Sequence, residues 1–132
     1  MPSTVIPTLR YRNARAMIDW LCDTFGFERH AVHEADDGTI AHAELVHGDG
    51  MIMLGDAFGA LQAPPAEGSP VNQSPYLVVK DIEHLYEAAR AAGATIVMDL
   101  SDRSYGSREF SCRDPEGQLW NFGTYNPWKA GE

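Results

Sequence analysis

No stretch of the 132-residue chain approaches the roughly 20 consecutive apolar residues that a membrane-crossing helix needs. The amino end, MPSTVIPTLRY, has no basic segment followed by an apolar one, so no secretory leader is expected. Cysteine is scarce. Cys22 and Cys112 are the only two, both inside apolar patterns and without metal-binding or redox spacing. Two reduced core thiols in a cytoplasmic protein are the expectation. Basic side chains are few as well: ten Lys and Arg against nineteen Asp and Glu give a net charge of -9. That balance argues against a nucleic-acid partner, because phosphate binding needs a basic face. The acidic excess serves solubility or, focused by a low-dielectric cleft, attracts cationic ligands. No Gly-x-Ser-x-Gly elbow and no phosphate-binding glycine pattern occurs, so no catalytic nucleophile is expected.

What is present is periodicity. Hydrophobic residues make up 44% of the chain, enough for one globular domain or two small halves sharing a core. Val5 to Tyr11 reads as a strand. Asn13 is a helix N-cap, and Ala14 to Phe25 sets Met17, Ile18, Leu21, Cys22 and Phe25 on one helical face before Gly26. Phe27 to Glu34, Ile40 to Val46 and Met51 to Leu54 read as strands, separated by the turns Asp36-Asp37-Gly38 and Gly48-Asp49-Gly50. The order then recurs. Tyr76 to Val79 is a strand, Asp81 caps a helix that runs to Gly93, and Thr95 to Leu100, Arg108 to Arg113 and Leu119 to Gly123 are strands. Ser101 to Ser107 reads as a polar loop. The two halves repeat in pattern, with little identity.

This order predicts an α+β protein of two tandem βαβββ modules. They form a curved mixed sheet around a cleft, with the helices outside. Module one spans about residues 4–56 and module two about 74–125. A Pro- and Gly-rich linker covers about 57–73, and a tail covers 126–132.

The stretches "GTIAHAELVHGDGMIMLGD" and "YGSREFSCRDPEGQLWNFGTY", set in this repeat, resemble the vicinal oxygen chelate superfamily. That group includes glyoxalase I, fosfomycin and bleomycin resistance proteins and ring-cleaving dioxygenases. The resemblance runs from Val5 to about Tyr125. It implies a metal ligand, usually His, Glu or Gln, on the first and last strand of each module. Those positions fall at Ile6, Met53, Ser74 and Asn121. Ile6 has no lone pair, Met53 is a soft thioether, and Ser74 and Asn121 are weak neutral donors. Neither the family's metal nor any other cofactor is therefore expected. One alternative set exists: His33, His42 and Glu44, on the second and third strands. It reads either as a displaced metal site or as a polar strand surface or dimer contact. His30 and His33, an odd number apart, are expected on opposite faces.

Period two lists the residues that would line the cleft. Thr8 and Arg10 lie on the first strand, Met53 on the fourth, Tyr76 on the fifth and Asn121 on the eighth. Such a lining, mostly apolar with a few polar anchors, suits a small molecule. Tyr76 either stacks on a planar guest or fills core, and Asn121 either reads a guest or pins structure. Tyr105, at the tip of "SDRSYGSRE", is a candidate lid. Arg108 meets either an anionic group or a surface carboxylate. Phe58 and Trp128 are placed near the cleft or a dimer interface, undecided between them. The expectation is a metal-free homodimer that sequesters a hydrophobic, aromatic or cationic ligand, with antibiotics one class that the resemblance implies. The other reading is a metal-dependent lyase, isomerase or dioxygenase using His33, His42 and Glu44.

Overall fold

Proline begins both units in the same way. In the computed structural model, which describes residues 2–57 and 73–129, the chain divides into units 1–65 and 66–132. Pro7 precedes strand β1 (Thr8–Tyr11), and Pro75 precedes β5 (Tyr76–Val78). Neither proline has an N–H to donate, so each stands at the strand's start. Each still accepts at its carbonyl: Met53 N–H donates to Pro7 and Asn121 N–H to Pro75, both at 2.9 Å. The first strand therefore starts at Thr8 rather than at Val5, and Ile6 lies ahead of it.

In unit one, α1 (Ala14–Phe25) is followed by β2 (Glu28–Glu34), β3 (Ile40–His47) and β4 (Gly50–Asp56). The strands pair in the order β1-β4-β3-β2, with β1 and β4 parallel and the other pairs antiparallel. The helix starts where Asn13 accepts from the Ala16 N–H at 3.2 Å. Asp56 ties the start of α1 and the start of β3 to one carboxylate. Its oxygens accept from the Ala14 N–H at 2.9 Å and the Ile40 N–H at 2.7 Å. Met17, Ile18, Leu21 and Phe25 bury the helix face, and Tyr11, Ile40, Ala43, Leu45, Ile52 and Leu54 are buried on the sheet. Full burial of each large side chain stabilises by about 1.5–3 kcal/mol.

Unit two repeats this plan with α2 (Ile82–Ala91), β6 (Thr95–Asp102), β7 (Arg108–Arg113) and β8 (Leu119–Gly123). The order is β5-β8-β7-β6, again with one parallel pair, β5 and β8. Phe110 stacks on Phe122 at 4.9 Å, and Tyr86 meets Phe110 edge-on at 5.1 Å. Trp120 is fully buried. Strand β6 runs on through Ser101 and Asp102, residues expected in a loop, because they pair with Glu109 and Arg108. Tertiary pairing overrides their polar character here. A short 3-10 turn, Pro127–Lys129, ends the described chain. The expected linker falls outside the described residues except for its ends, and so does Phe58.

Both cysteines are free thiols. Burial, aided by the nearby Asp114 carboxylate, pushes Cys112 up to about 12. Burial also raises Cys22. The thiolate is the reactive form, so Cys112 is expected to resist a thiol reagent at pH 8 in the native protein and to react after denaturation. Mass-spectrometric counting of labels checks this; rapid native labelling of Cys112 would contradict it.

Candidate functional site

The open face of the second sheet carries a cavity of about 510 Å³. Period two explains its floor. Phe110 and Cys112 are buried on the helix side of β7, which turns Glu109 and Ser111 to the other face. On β8 the buried Trp120 and Phe122 likewise turn Asn121 to that face, opposite Ser111. Tyr76 lies beside Asn121 in the parallel pair. The walls come from Met98, Arg103, Tyr105, Tyr125 and Pro127.

Asn121 is held from three sides. Its Nδ2 donates to Ser74 Oγ at 2.7 Å and to the Pro75 carbonyl at 3.1 Å, and its Oδ1 accepts from Ser111 Oγ at 2.7 Å. A carbonyl only accepts, so the Pro75 contact fixes which end of the amide is nitrogen. Both donors are used, and one acceptor lone pair remains for a guest.

Tyr76 crosses the sheet over Gly123. A Cβ built at Gly123 would overlap the Tyr76 phenol and lie 2.9 Å from its ring carbons. The phenol donates to the Tyr125 carbonyl at 2.8 Å, and desolvation, the first of its causes, raises its pKa. Unit one uses the equivalent glycine, Gly55, for the Arg10 guanidinium, which lies 2.6 Å from where a Cβ would stand.

The loop expected over residues 101–107 is a tight hairpin tip. Arg103 N–H donates to the Ser107 carbonyl at 2.6 Å, and Gly106 takes a φ of 88°. Tyr105 folds back from this tip. Its hydroxyl donates to Glu109 Oε1 at 2.6 Å, and its ring meets Tyr125 edge-on at 5.8 Å. That carboxylate is the first cause of a raised Tyr105 pKa.

The cavity thus brings together Tyr76, Tyr105 and Asn121 from the sequence-derived set. Arg108 is engaged elsewhere, with Glu83 and, at 2.9 Å, with Asp102. Thr8, Arg10 and Met53 belong to unit one, where Thr8 pairs with Met53 and Arg10 with Gly55. Trp128 is 93% exposed. Sequence reasoning missed Met98, Arg103, Glu109 and Tyr125. Period two applied to β7, with Ser111 opposite Asn121, would have found Glu109.

The histidine group needs one correction. A register shift between Arg29 and Ala31 places His30 in a bulge. The odd-spacing argument fails there: His30 Nε2 comes within 3.8 Å of Glu44 Oε1. His42 Nε2 lies 2.8 Å from Glu44 Oε2, and His33 stacks on His42 at 6.0 Å. Hydrogen bonding to His42 is the first cause of a lowered Glu44 pKa. Among the described residues no group of three His, Cys, Asp or Glu is arranged to hold a metal ion.

The donors at the positions where the resemblance implies metal ligands fit such an ion poorly. In unit two Asn121 turns two N–H groups toward Ser74 and Pro75. In unit one Ile6 has no donor atom, and Met53 is a soft thioether. No helix among the described residues is long and apolar enough to cross a membrane.

Residues 5–122 match the family model described as Glyoxalase/Bleomycin resistance protein/Dioxygenase superfamily. An uncharacterized protein of Mycobacterium tuberculosis (strain H37Rv) is 30% identical over 89% of this chain and 71% of its own length. TioX from Micromonospora sp. ML1 is 32% identical, with a TM-score of 0.75 over 94% of this chain and 99% of that one. The fosfomycin resistance protein FosX of Listeria monocytogenes, solved with Mn(II) and sulfate, is 10% identical with a TM-score of 0.69 over 98% and 97% of the two chains, and shares the fold.

Proposed function

Since the chain belongs to the glyoxalase/bleomycin resistance protein/dioxygenase superfamily, we propose that it is a metal-free binding protein of that type. It sequesters a hydrophobic, aromatic or cationic small molecule, an antibiotic being one such class, as a cytoplasmic homodimer. The observation that carries this reading is the cavity on the second sheet, walled by Tyr76, Tyr105 and Tyr125. Aromatic walls with a few polar anchors bind planar guests and leave the chemistry untouched. Asn121, committed to Ser74, Pro75 and Ser111, supports binding over metal catalysis. Of the sequence-derived candidates, Tyr76, Tyr105 and Asn121 are the contacts proposed in this cavity. Thr8, Arg10 and Met53 remain proposed as ligand contacts within unit one, and Arg108 as a support of the hairpin.

The second reading is a metal-dependent enzyme built on His33, His42 and Glu44, with His30 beside them. These residues gather around Glu44, although among the described residues no group of three is arranged to hold a metal ion. One preparation separates the two readings. Calorimetric titration with a panel of planar aromatic compounds is expected to find one that binds once per chain. Tyr76→Ala should weaken it at least tenfold, about 1.4 kcal/mol. Unchanged affinity in that variant would sink the binding reading. So would stoichiometric zinc, nickel, iron or manganese in the same sample with a metal-dependent turnover.

A further inference from the structure

We infer that the cavity selects for positive charge, and that Glu109 is the carboxylate that recognises a cationic aromatic guest. This rests on the cavity being the binding site and adds the chemical class of the ligand. Glu109 stands on β7 opposite Gly123, so no β8 side chain covers it directly. Its side chain is only 13% exposed. Around it stand three phenol rings, Tyr76, Tyr105 and Tyr125, of which Tyr105 and Tyr125 meet edge-on. A ring face attracts a cation, and a carboxylate behind such rings supplies the counter-charge. An organic cation with a flat ring, such as a quaternised or protonated nitrogen heterocycle, satisfies both.

Among the described residues only two charged ones line the cavity, Glu109 and Arg103. Arg103 is a loose partner: its Nε stands 3.7 Å from Glu109 Oε1, beyond hydrogen-bond length, and its side chain is 40% exposed. A screened pair of this kind contributes little. Arg103 therefore acts as an internal competitor that a better-placed cation displaces. The Tyr105 hydroxyl remains on the same carboxylate and orients it. The net charge of -9 adds a field of the same sign, which raises the local concentration of cations.

A matched pair of probes tests this: 1-methylquinolinium, which is cationic, and 1-methylnaphthalene, its neutral counterpart of nearly the same shape. Calorimetric titration of the full-length protein in low salt is expected to show at least a tenfold preference for the cation. Glu109→Gln should cut that preference to below about threefold. Arg103→Gln, an exposed substitution with little effect on folding, should raise the affinity for the cation several-fold. Equal affinity for both probes in the wild type, or weaker cation binding in Arg103→Gln, would overturn the charge inference and leave the cavity reading standing. Binding of neither probe would overturn both.

Discussion

Replacing Asp114 by alanine is expected to destabilise the protein by about 3 kcal/mol, the largest effect of any single polar side chain in unit two. Asp114 is 4% exposed and uses both oxygens. Oδ1 accepts from the backbone N–H groups of Glu116 and Gln118, each at 3.0 Å, which closes the Asp-Pro-Glu-Gly turn. Oδ2 accepts from the indole N–H of the fully buried Trp120 at 3.0 Å. Alanine leaves that indole donor buried without an acceptor, a cost of about 1–3 kcal/mol by itself. It also removes two hydrogen bonds to a charged acceptor. The melting temperature should fall on the order of 10 °C. Asp114→Asn keeps one acceptor and adds a donor that cannot serve both the turn and the indole, so its loss should lie between those of wild type and alanine. A change below about 0.5 kcal/mol in the alanine variant, the scale of an ordinary surface substitution, would show that the turn holds without the carboxylate.

Asp114 also illustrates what the sequence reveals. The turn was legible, because Asp-Pro-Glu-Gly is local chemistry. The indole contact was not, since it depends on how β8 folds back against the turn. The same division runs through the whole chain. Helix α1 ends at the residues its caps and apolar period predict, Ala14 and Phe25, and β7 and β8 also match. The start of β1 was misplaced at Val5, because apolar content masked what Pro7 does to pairing. The His30 bulge broke a rule that assumes an unbroken strand. Tyr76, Tyr105 and Asn121 were legible as site candidates from alternation and from the glycine at the hairpin tip. Glu109 was within reach of the same alternation but overlooked, and Arg103 with it, because a resemblance that points to the first and last strands of each module draws attention away from β6 and β7. Of the partners of Asn121, Ser111 follows from the β7–β8 hairpin register, whereas Ser74 lies 47 residues away ahead of β5, and only the assembled sheet brings it to the amide.

Gly123→Ala is expected to abolish most binding in the cavity with a backbone that accepts alanine readily. Gly123 is not among the glycines with positive φ, so alanine brings no backbone strain. The consequence falls on Tyr76. The new methyl would occupy the space of the phenol and lie 2.9 Å from its ring carbons, so the ring must swing away. The swing breaks the hydrogen bond to the Tyr125 carbonyl, about 1 kcal/mol, and takes one aromatic wall from the cavity. For 1-methylnaphthalene, a probe without charge, affinity should fall about tenfold, in line with the 0.5–1.5 kcal/mol of an aromatic contact plus its buried area. The decisive comparison is with Tyr76→Ala. If Gly123 matters only because Tyr76 lies over it, the double variant binds no worse than Tyr76→Ala alone, and the two effects do not add. Additive losses would mean that Gly123 supports the site by another route, and that Tyr76 is not the wall the geometry makes it.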